Sequence, residues 1–282
     1  MQIIKQVEML RTQVREWKSK GLKVGFVPTM GNLHAGHLSL MKLAREYCDK
    51  VVVSIFVNPL QFGPNEDFDS YPRTFEADQQ KMQTVGVDVV FYPTVDEMYP
   101  CGQEQTLVKV PEKLTGLLEG ASRPGHFDGV TTVVSKLFNM VQPDVAVFGQ
   151  KDYQQYCVIE QMVRDMAMPI DLIRGSIARD EDGLALSSRN QYLTPEQREI
   201  APKLYVTLMD VLTALESGNR DFKALESAAT QSLLGLGFDA VDYVKIVHPK
   251  TLLDASQQDS IFVILAVARL GQTRLLDNVV LG

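Results

Sequence analysis

Cysteine is scarce in this chain: three in 282 residues, Cys48, Cys101 and Cys157, with no Cys-x-x-Cys spacing and no Cys/His cluster. That excludes a disulfide framework and a structural zinc site. Long apolar runs are missing too, since the longest, 261–268, falls far short of the ~20 residues that span a bilayer. Residues 1–20 are charged and amphipathic, without the apolar stretch of a signal peptide, so the expectation is a soluble protein of the reducing cytoplasm, with no membrane partner. Positive charge is in short supply: 28 Lys and Arg stand against 35 Asp and Glu, a net charge of −7. The excess is spread along the chain, which argues against a nucleic-acid surface and means that a phosphate-bearing ligand needs a local pocket to outweigh the overall field. Neither Gly-x-G-x-x-Gly nor Gly-x-x-x-x-Gly-Lys-Ser/Thr occurs at the first strand-to-helix turn, against a hydride-transferring dehydrogenase and a P-loop kinase.

What is present is ordinary globular composition, 45% hydrophobic and 22% charged, long enough for one large or two modest domains. Val7, Leu10, Val14 and Trp17 recur at helical spacing, with Gly21 as a stop. The run 24–27 then reads as a buried strand, Leu40, Leu43, Ala44 and Tyr47 as a helix, and 51–57 as a second strand, the pattern of a βαβ unit. The alternation continues with a helix in 75–85, strand 87–92, a helix through Val130 to Val141, strand 145–148, a helix through Tyr156 to Met166 and strand 170–173. This repetition predicts an α/β fold with an open, mostly parallel sheet and helices on both faces. After about Arg174 the pattern changes. Thr194, Pro195 and Gln197 start a helix that Pro202 should interrupt, Phe222 to Leu233 forms another, and strands follow at 241–247, 261–268 and 274–280. Helices followed by strands predict a smaller C-terminal α+β domain, giving 1–175 and 176–282.

Three segments carry candidate chemistry. The first, Pro28-Thr29-Met30-Gly31-Asn32-Leu33-His34-Ala35-Gly36-His37, leaves a core strand for a helix, where open parallel sheets bind ligands. Its glycines permit close backbone approach, and two imidazoles three residues apart share a helix face from which they can donate to a polyphosphate. A satisfied surface pair or two ligands of a metal site are the alternatives. The second, Phe148-Gly149-Gln150-Lys151-Asp152-Tyr153-Gln154-Gln155, again leaves a strand end. Lys151 can meet a phosphate and Asp152 can cap a helix or bind a hydroxyl; a tight turn with a solvated lysine is the plainer reading. The third, Leu184-Ala185-Leu186-Ser187-Ser188-Arg189-Asn190, is either a polar interdomain loop or one that closes on a triphosphate, with Arg189 as a fixed cation. His126 reads as a pocket residue or a helix-start hydrogen bonder, His248 as structural, and 180–183 as a solvated hairpin turn.

Taken together, these segments resemble one family. His34-Ala35-Gly36-His37 is similar to the His-x-Gly-His signature of Rossmann-like nucleotidyl-transferring proteins. In order and spacing, residues 28–37, Phe56-Val57-Asn58-Pro59-Leu60-Gln61-Phe62-Gly63, Tyr71-Pro72-Arg73-Thr74, 123–129, 148–155 and 186–190 resemble the pantothenate synthetases, the pantoate–β-alanine ligases, over essentially the whole chain. The resemblance implies an ATP-dependent, AMP-forming ligase that activates pantoate as pantoyl adenylate, releases pyrophosphate, and lets β-alanine displace AMP. It implies that Met30, Gly31, Asn32, Leu33, His34, Ala35, Gly36 and His37 surround ATP, with His37 as catalytic histidine and proton donor. It places Gly149, Gln150, Lys151, Asp152, Ala178, Leu186, Ser187, Ser188 and Arg189 along the rest of the nucleotide site, with Lys151, Arg189, Ser187, Ser188 and His34 in the catalytic set. Gln61 and Gln155 would bind pantoate, Gln61 also lying close to β-alanine. Mg²⁺ should accompany ATP, with no carboxylate identifying itself as its ligand. The second domain is expected to close over the site, and a homodimer is implied.

Overall fold

The computed structural model describes residues 1–64, 66–102 and 104–282, which form two compact units: Met1–Gly149 with Gln154–Gly175, and Gln150–Tyr153 with Ser176–Gly282. In the first unit six strands, β1 (Gln2–Ile4), β2 (Val24–Thr29), β3 (Lys50–Ile55), β4 (Val89–Phe91), β5 (Val145–Gly149) and β6 (Asp171–Gly175), lie in the order β1-β4-β3-β2-β5-β6. Every neighbouring pair is parallel. Val27, Val51, Val53 and Val147 bury one face of the sheet with Met41 and Ala44 of helix Ala35–Tyr47. On the other face Phe26 meets Phe138 of helix His126–Val141 edge to face, ring centroids 6.3 Å apart. Both sides covered explains why these strands read as continuous apolar runs without alternation.

The strand order reverses between β2 and β5, the switch point at which such sheets bind ligands. The ladder there is short: β2 pairs with β5 only at Gly25 and Phe26, although β2 itself runs on through Pro28 to Thr29 against β3. The reason is in the sequence. Val24 accepts from Asp144 on the β5 side, so by the alternation of a strand Pro28 faces the same side, where it has no N–H to give. The sheet therefore parts at the carboxyl ends of its two central strands.

Two further differences from the sequence reading have local causes. β1 is only three residues long, too short to register as a period before the helix Val7–Ser19. The β-branched run 51–57 ends as a strand at Ile55, after which Asn58 caps a 3₁₀ turn, Pro59–Gln61. That turn presses on helix His126–Val141 at Gly129, where a Cβ would stand 2.2 Å from the Leu60 carbonyl oxygen and 2.7 Å from Gln61 Cα.

The second unit has an antiparallel sheet of β7 (Ala240–Val247), β8 (Phe262–Leu270) and β9 (Thr273–Leu281). Leu204, Leu208, Val211 and Leu215 of helix Lys203–Glu216, with Leu233 of helix Phe222–Gly235, share a core with Ile246, Phe262 and Ile264. Thr194 and Gln197 make the reciprocal capping box of helix Pro195–Ile200, which stops before Pro202 as its ring requires. No helix among the described residues is long and apolar enough to cross a membrane.

Gly129→Ala should lower the thermal midpoint, since overpacking against a backbone carbonyl costs about 1–3 kcal/mol. Gly235→Ala, where a Cβ meets nothing within 4 Å, should leave the midpoint unchanged or raise it by up to about 1 kcal/mol of stability. Equal midpoints for Gly129→Ala and the wild type would show that the 59–61 turn yields freely.

Candidate active site

The turn leaving β2 is held by a carboxylate that the sequence did not advertise. Asp78, fully buried on helix Phe75–Thr84, accepts the Asn32 N–H on one oxygen and the Leu33 N–H on the other, both at 2.8 Å, with the Thr74 hydroxyl at 3.2 Å. The Leu33 carbonyl takes Lys81 Nζ at 2.6 Å, and the Leu33 side chain belongs to the core, so Leu33 contributes the shape of the turn. Gly31 and Asn32 both lie at positive φ, 86° and 50°. At Gly31 a Cβ would also stand 3.1 Å from Ile55 and 3.3 Å from the Asp78 carboxylate, so the position requires glycine.

Out of this turn rises helix Ala35–Tyr47, whose first turn presents the two histidines together, ring centroids 4.1 Å apart. His34 is the N-cap: its Nδ1 accepts the Gly36 N–H at 3.2 Å, while His37 Nδ1 accepts the His34 N–H at 3.3 Å. Each Nδ1 being an acceptor, the proton of each ring sits on Nε2. The pair thus forms a capping box of imidazoles at a helix N-terminus, whose partial positive charge favours an anion.

Gln61 lies beside this turn. Its Nε2 donates to Met30 Sδ at 3.2 Å, and its Oε1 accepts from Asn58 Nδ2, likewise at 3.2 Å. Asn58 is itself buried and oriented by the Tyr99 hydroxyl, 2.6 Å from its Oδ1, and by the Gly129 carbonyl, 3.1 Å from its Nδ2. A thioether is a weak acceptor, so the Gln61 N–H can exchange it for a ligand oxygen at little cost. The Gln61 carbonyl accepts from His126 Nδ1 at 2.8 Å, and His126 Nε2 faces Arg123 at 3.0 Å, which fixes the neutral Nδ1–H tautomer. Arg123 in turn grips Glu66 with two bonds of 2.6 Å. Burial, then the Arg123 charge, pushes the His126 pKa down to about 4, although the Gln61 carbonyl and the charges of Glu66 and Glu119 pull the other way. The side chain of Gln155, half-buried on helix Tyr153–Asp165, makes no hydrogen bond among the described residues, whereas that of its neighbour Gln154 is consumed by the Leu114 and Leu117 carbonyls and the Glu119 N–H.

Most of the remaining candidates fall within the second unit. Lys151, Ser187 and Asn190 line one cleft with Tyr205, Arg274 and Asp277. Ser187 caps the 3₁₀ turn Ser188–Tyr192 by accepting the Arg189 N–H. Ala178 accepts the Leu186 N–H at 2.9 Å, closing a hairpin whose acidic tip, 180–183, is a turn as expected but one paired with Arg198 through Asp180 and Asp182. Gly149 ends β5 in the first unit, Gln150 begins the second, and Asp152 is exposed. His248 caps the turn after β7, accepting the Lys250 N–H.

The sequence profile of the Pantoate-beta-alanine ligase family matches residues 2–280. The chain belongs to that family. It is 60% identical to the pantothenate synthetase of Hydrogenovibrio crunogenus over the full length of both chains, and 54% identical to that of Pseudomonas putida over all of this chain and 98% of the other. Pantothenate synthetase from Thermus thermophilus superposes with a TM-score of 0.93 at 46% identity, covering 99% of each chain. The Francisella tularensis pantoate-β-alanine ligase, solved with β-γ ATP and β-alanine, gives 0.82 at 35% identity over 99% and 97%. The chain is therefore an ATP-dependent ligase that joins pantoate to β-alanine through an adenylate.

The half-buried His126 makes a pH prediction. With a folded pKa near 4, below the ordinary 6.5, His126 contributes stability that is complete above about pH 6.5 and is lost as the pH falls towards 4, because the unfolded chain then binds the extra proton. Urea unfolding should show about 1 kcal/mol less stability from this group at pH 5.5 than at pH 7.5. His126→Gln should flatten that part of the profile, and the same slope in the variant would place the titration elsewhere.

Proposed function

We propose that adenylation takes place against the turn 30–37, with His37 and His34 as the groups that donate to the triphosphate. The observation that carries this is the tautomer pair: two rings held by backbone amides on Nδ1, at a helix N-terminus, each with its proton on Nε2. A pantoate carboxylate oxygen attacks the α-phosphorus, the bond to the bridging oxygen breaks, and pyrophosphate leaves with the electron pair. Two anions must approach, so the reaction needs donors and cations aimed at the phosphates more than a strong base. In the second step the β-alanine amine attacks the acyl carbon and AMP departs.

On the same reading Met30, Gly31, Asn32, Ala35 and Gly36 form the wall of the nucleotide site in the first unit. Gly149, Gln150, Lys151, Asp152, Ala178, Leu186, Ser187, Ser188 and Arg189 supply its other contacts. Lys151 and Arg189 serve as cations for the phosphates, which a chain of net charge −7 does not otherwise attract. Gln61 and Gln155 bind pantoate, since each amide offers donors and an acceptor without adding charge. Magnesium enters with the nucleotide as the Mg–ATP substrate, its ligands drawn mainly from phosphate oxygens. A homodimer follows from the family resemblance. A reducing cytoplasm is supported by the free thiols of Cys48, Cys101 and Cys157, of which Cys101 is exposed.

Exchange of labelled pyrophosphate into ATP tests the proposal. It should require pantoate and Mg²⁺ and proceed without β-alanine. His37→Ala should slow it by roughly two orders of magnitude, the cost of losing a transition-state donor, and His34→Ala should act on the same step. Wild-type exchange in both variants would remove the histidines from the chemistry. Gln155→Ala should weaken pantoate binding and leave ATP binding unchanged; calorimetry showing unaltered pantoate affinity would remove that glutamine from the site.

A further inference from the structure

β9 carries two adjacent buried polar residues, Asp277 and Asn278, between the buried apolar residues Leu275 and Val279. Burying polar side chains in a strand is costly unless each finds partners, and both do, outside the sheet. Asn278 Nδ2 donates to two successive backbone carbonyls, Gln150 at 3.0 Å and Lys151 at 2.9 Å, and its Oδ1 accepts from Gln150 Nε2 at 3.2 Å. The amide thus grips the first two residues after β5. Asp277 forks onto Arg179 with bonds of 2.6 and 2.9 Å, and the Arg179 guanidinium lies 3.8 Å over the Tyr205 ring. Asp277 also lines the same cleft as Lys151, whose positive charge it feels.

A lysine at a strand end has four rotatable bonds and a backbone of its own to fix. Here Lys151 is only about a fifth exposed, and its carbonyl is tied to β9. We propose that Asn278 is a positioning residue for adenylation, acting through Lys151: by holding the Gln150 and Lys151 carbonyls it sets the direction from which the Lys151 ammonium reaches the phosphates. The residue type fits this task closely. Only an amide of this length supplies two donors to two neighbouring carbonyls and an acceptor to the Gln150 side chain; a carboxylate of the same shape would set negative charge against both carbonyls. The inference rests on the reading of Lys151 as a phosphate-facing cation.

A double-mutant cycle on the full chain separates the two ideas. Single-turnover pantoyl adenylate formation is measured at saturating Mg–ATP and pantoate in Asn278→Ser, Lys151→Met and the double variant, and transfer to β-alanine is measured from supplied pantoyl adenylate. Lys151→Met should slow adenylation by about a hundredfold and Asn278→Ser by about tenfold, with the double variant no slower than Lys151→Met alone. Transfer from supplied adenylate should stay at the wild-type rate in Asn278→Ser. Multiplied effects in the double variant, equal slowing of both steps, or wild-type adenylation in Asn278→Ser beside a slow Lys151→Met would overturn the positioning role. Wild-type adenylation in Lys151→Met would overturn the reading of Lys151 first, and this inference with it. Should Asn278→Ser fail to fold, Asn278→Asp keeps the side-chain shape and carries the same cycle, with a larger expected loss in adenylation.

Discussion

A single buried carboxylate sets the geometry of the first unit's site. Asp78 pays the desolvation cost of an interior charge and recovers it through the Asn32 and Leu33 amides, one on each oxygen, bonds to a charged acceptor being the stronger kind. Those two amides sit where the chain passes through positive φ at Gly31 and Asn32, a conformation that glycine adopts freely and asparagine more readily than most side chains. With Lys81 on the Leu33 carbonyl, the turn is held at two amides and a carbonyl, and the imidazole pair follows directly from it. A site that stabilises developing charge works only if its donors need not reorganise during the reaction.

The same economy recurs elsewhere in the fold. Pro28 withholds an N–H and so parts β2 from β5 beyond Phe26. Gly129 withholds a side chain and so lets the 59–61 turn settle against helix His126–Val141, where the Gln61 amide is aimed by Asn58 and its carbonyl is held by a neutral His126. In the second unit Asn278 does for the Lys151 backbone what Asp78 does for the histidine turn. The Asn32 and Leu33 amides, the Gln61 carbonyl and the Lys151 carbonyl are each held by a partner distant in sequence.

That distance explains what the sequence revealed and what it concealed. β2, β3 and β5 were legible because strands buried on both faces read as apolar runs, and the His-x-Gly-His turn was legible because histidines, glycines and a strand end coincide. Pro202 marked the break between two helices by its own stereochemistry. Asp78 was not legible: 46 residues separate it from Asn32, and an acidic residue on an amphipathic helix looks the same whether it faces water or two amides. Asn278 lies still further from its partners, 127 and 128 residues, in a strand whose polar residues could equally have been solvated. β1, at three residues, carried no period at all.

Amide hydrogen exchange at Asn32 and Leu33 tests the anchoring of the histidine turn most directly. In the wild type both amides should be protected as strongly as those of β2. In Asp78→Asn, which keeps the shape and removes the charge and one acceptor, both should exchange at least about tenfold faster while β2 and helix Ala35–Tyr47 keep their protection, and adenylate formation should slow. Unchanged exchange at Asn32 and Leu33 in that variant would contradict the account, since the turn would then owe its conformation to something other than the buried carboxylate.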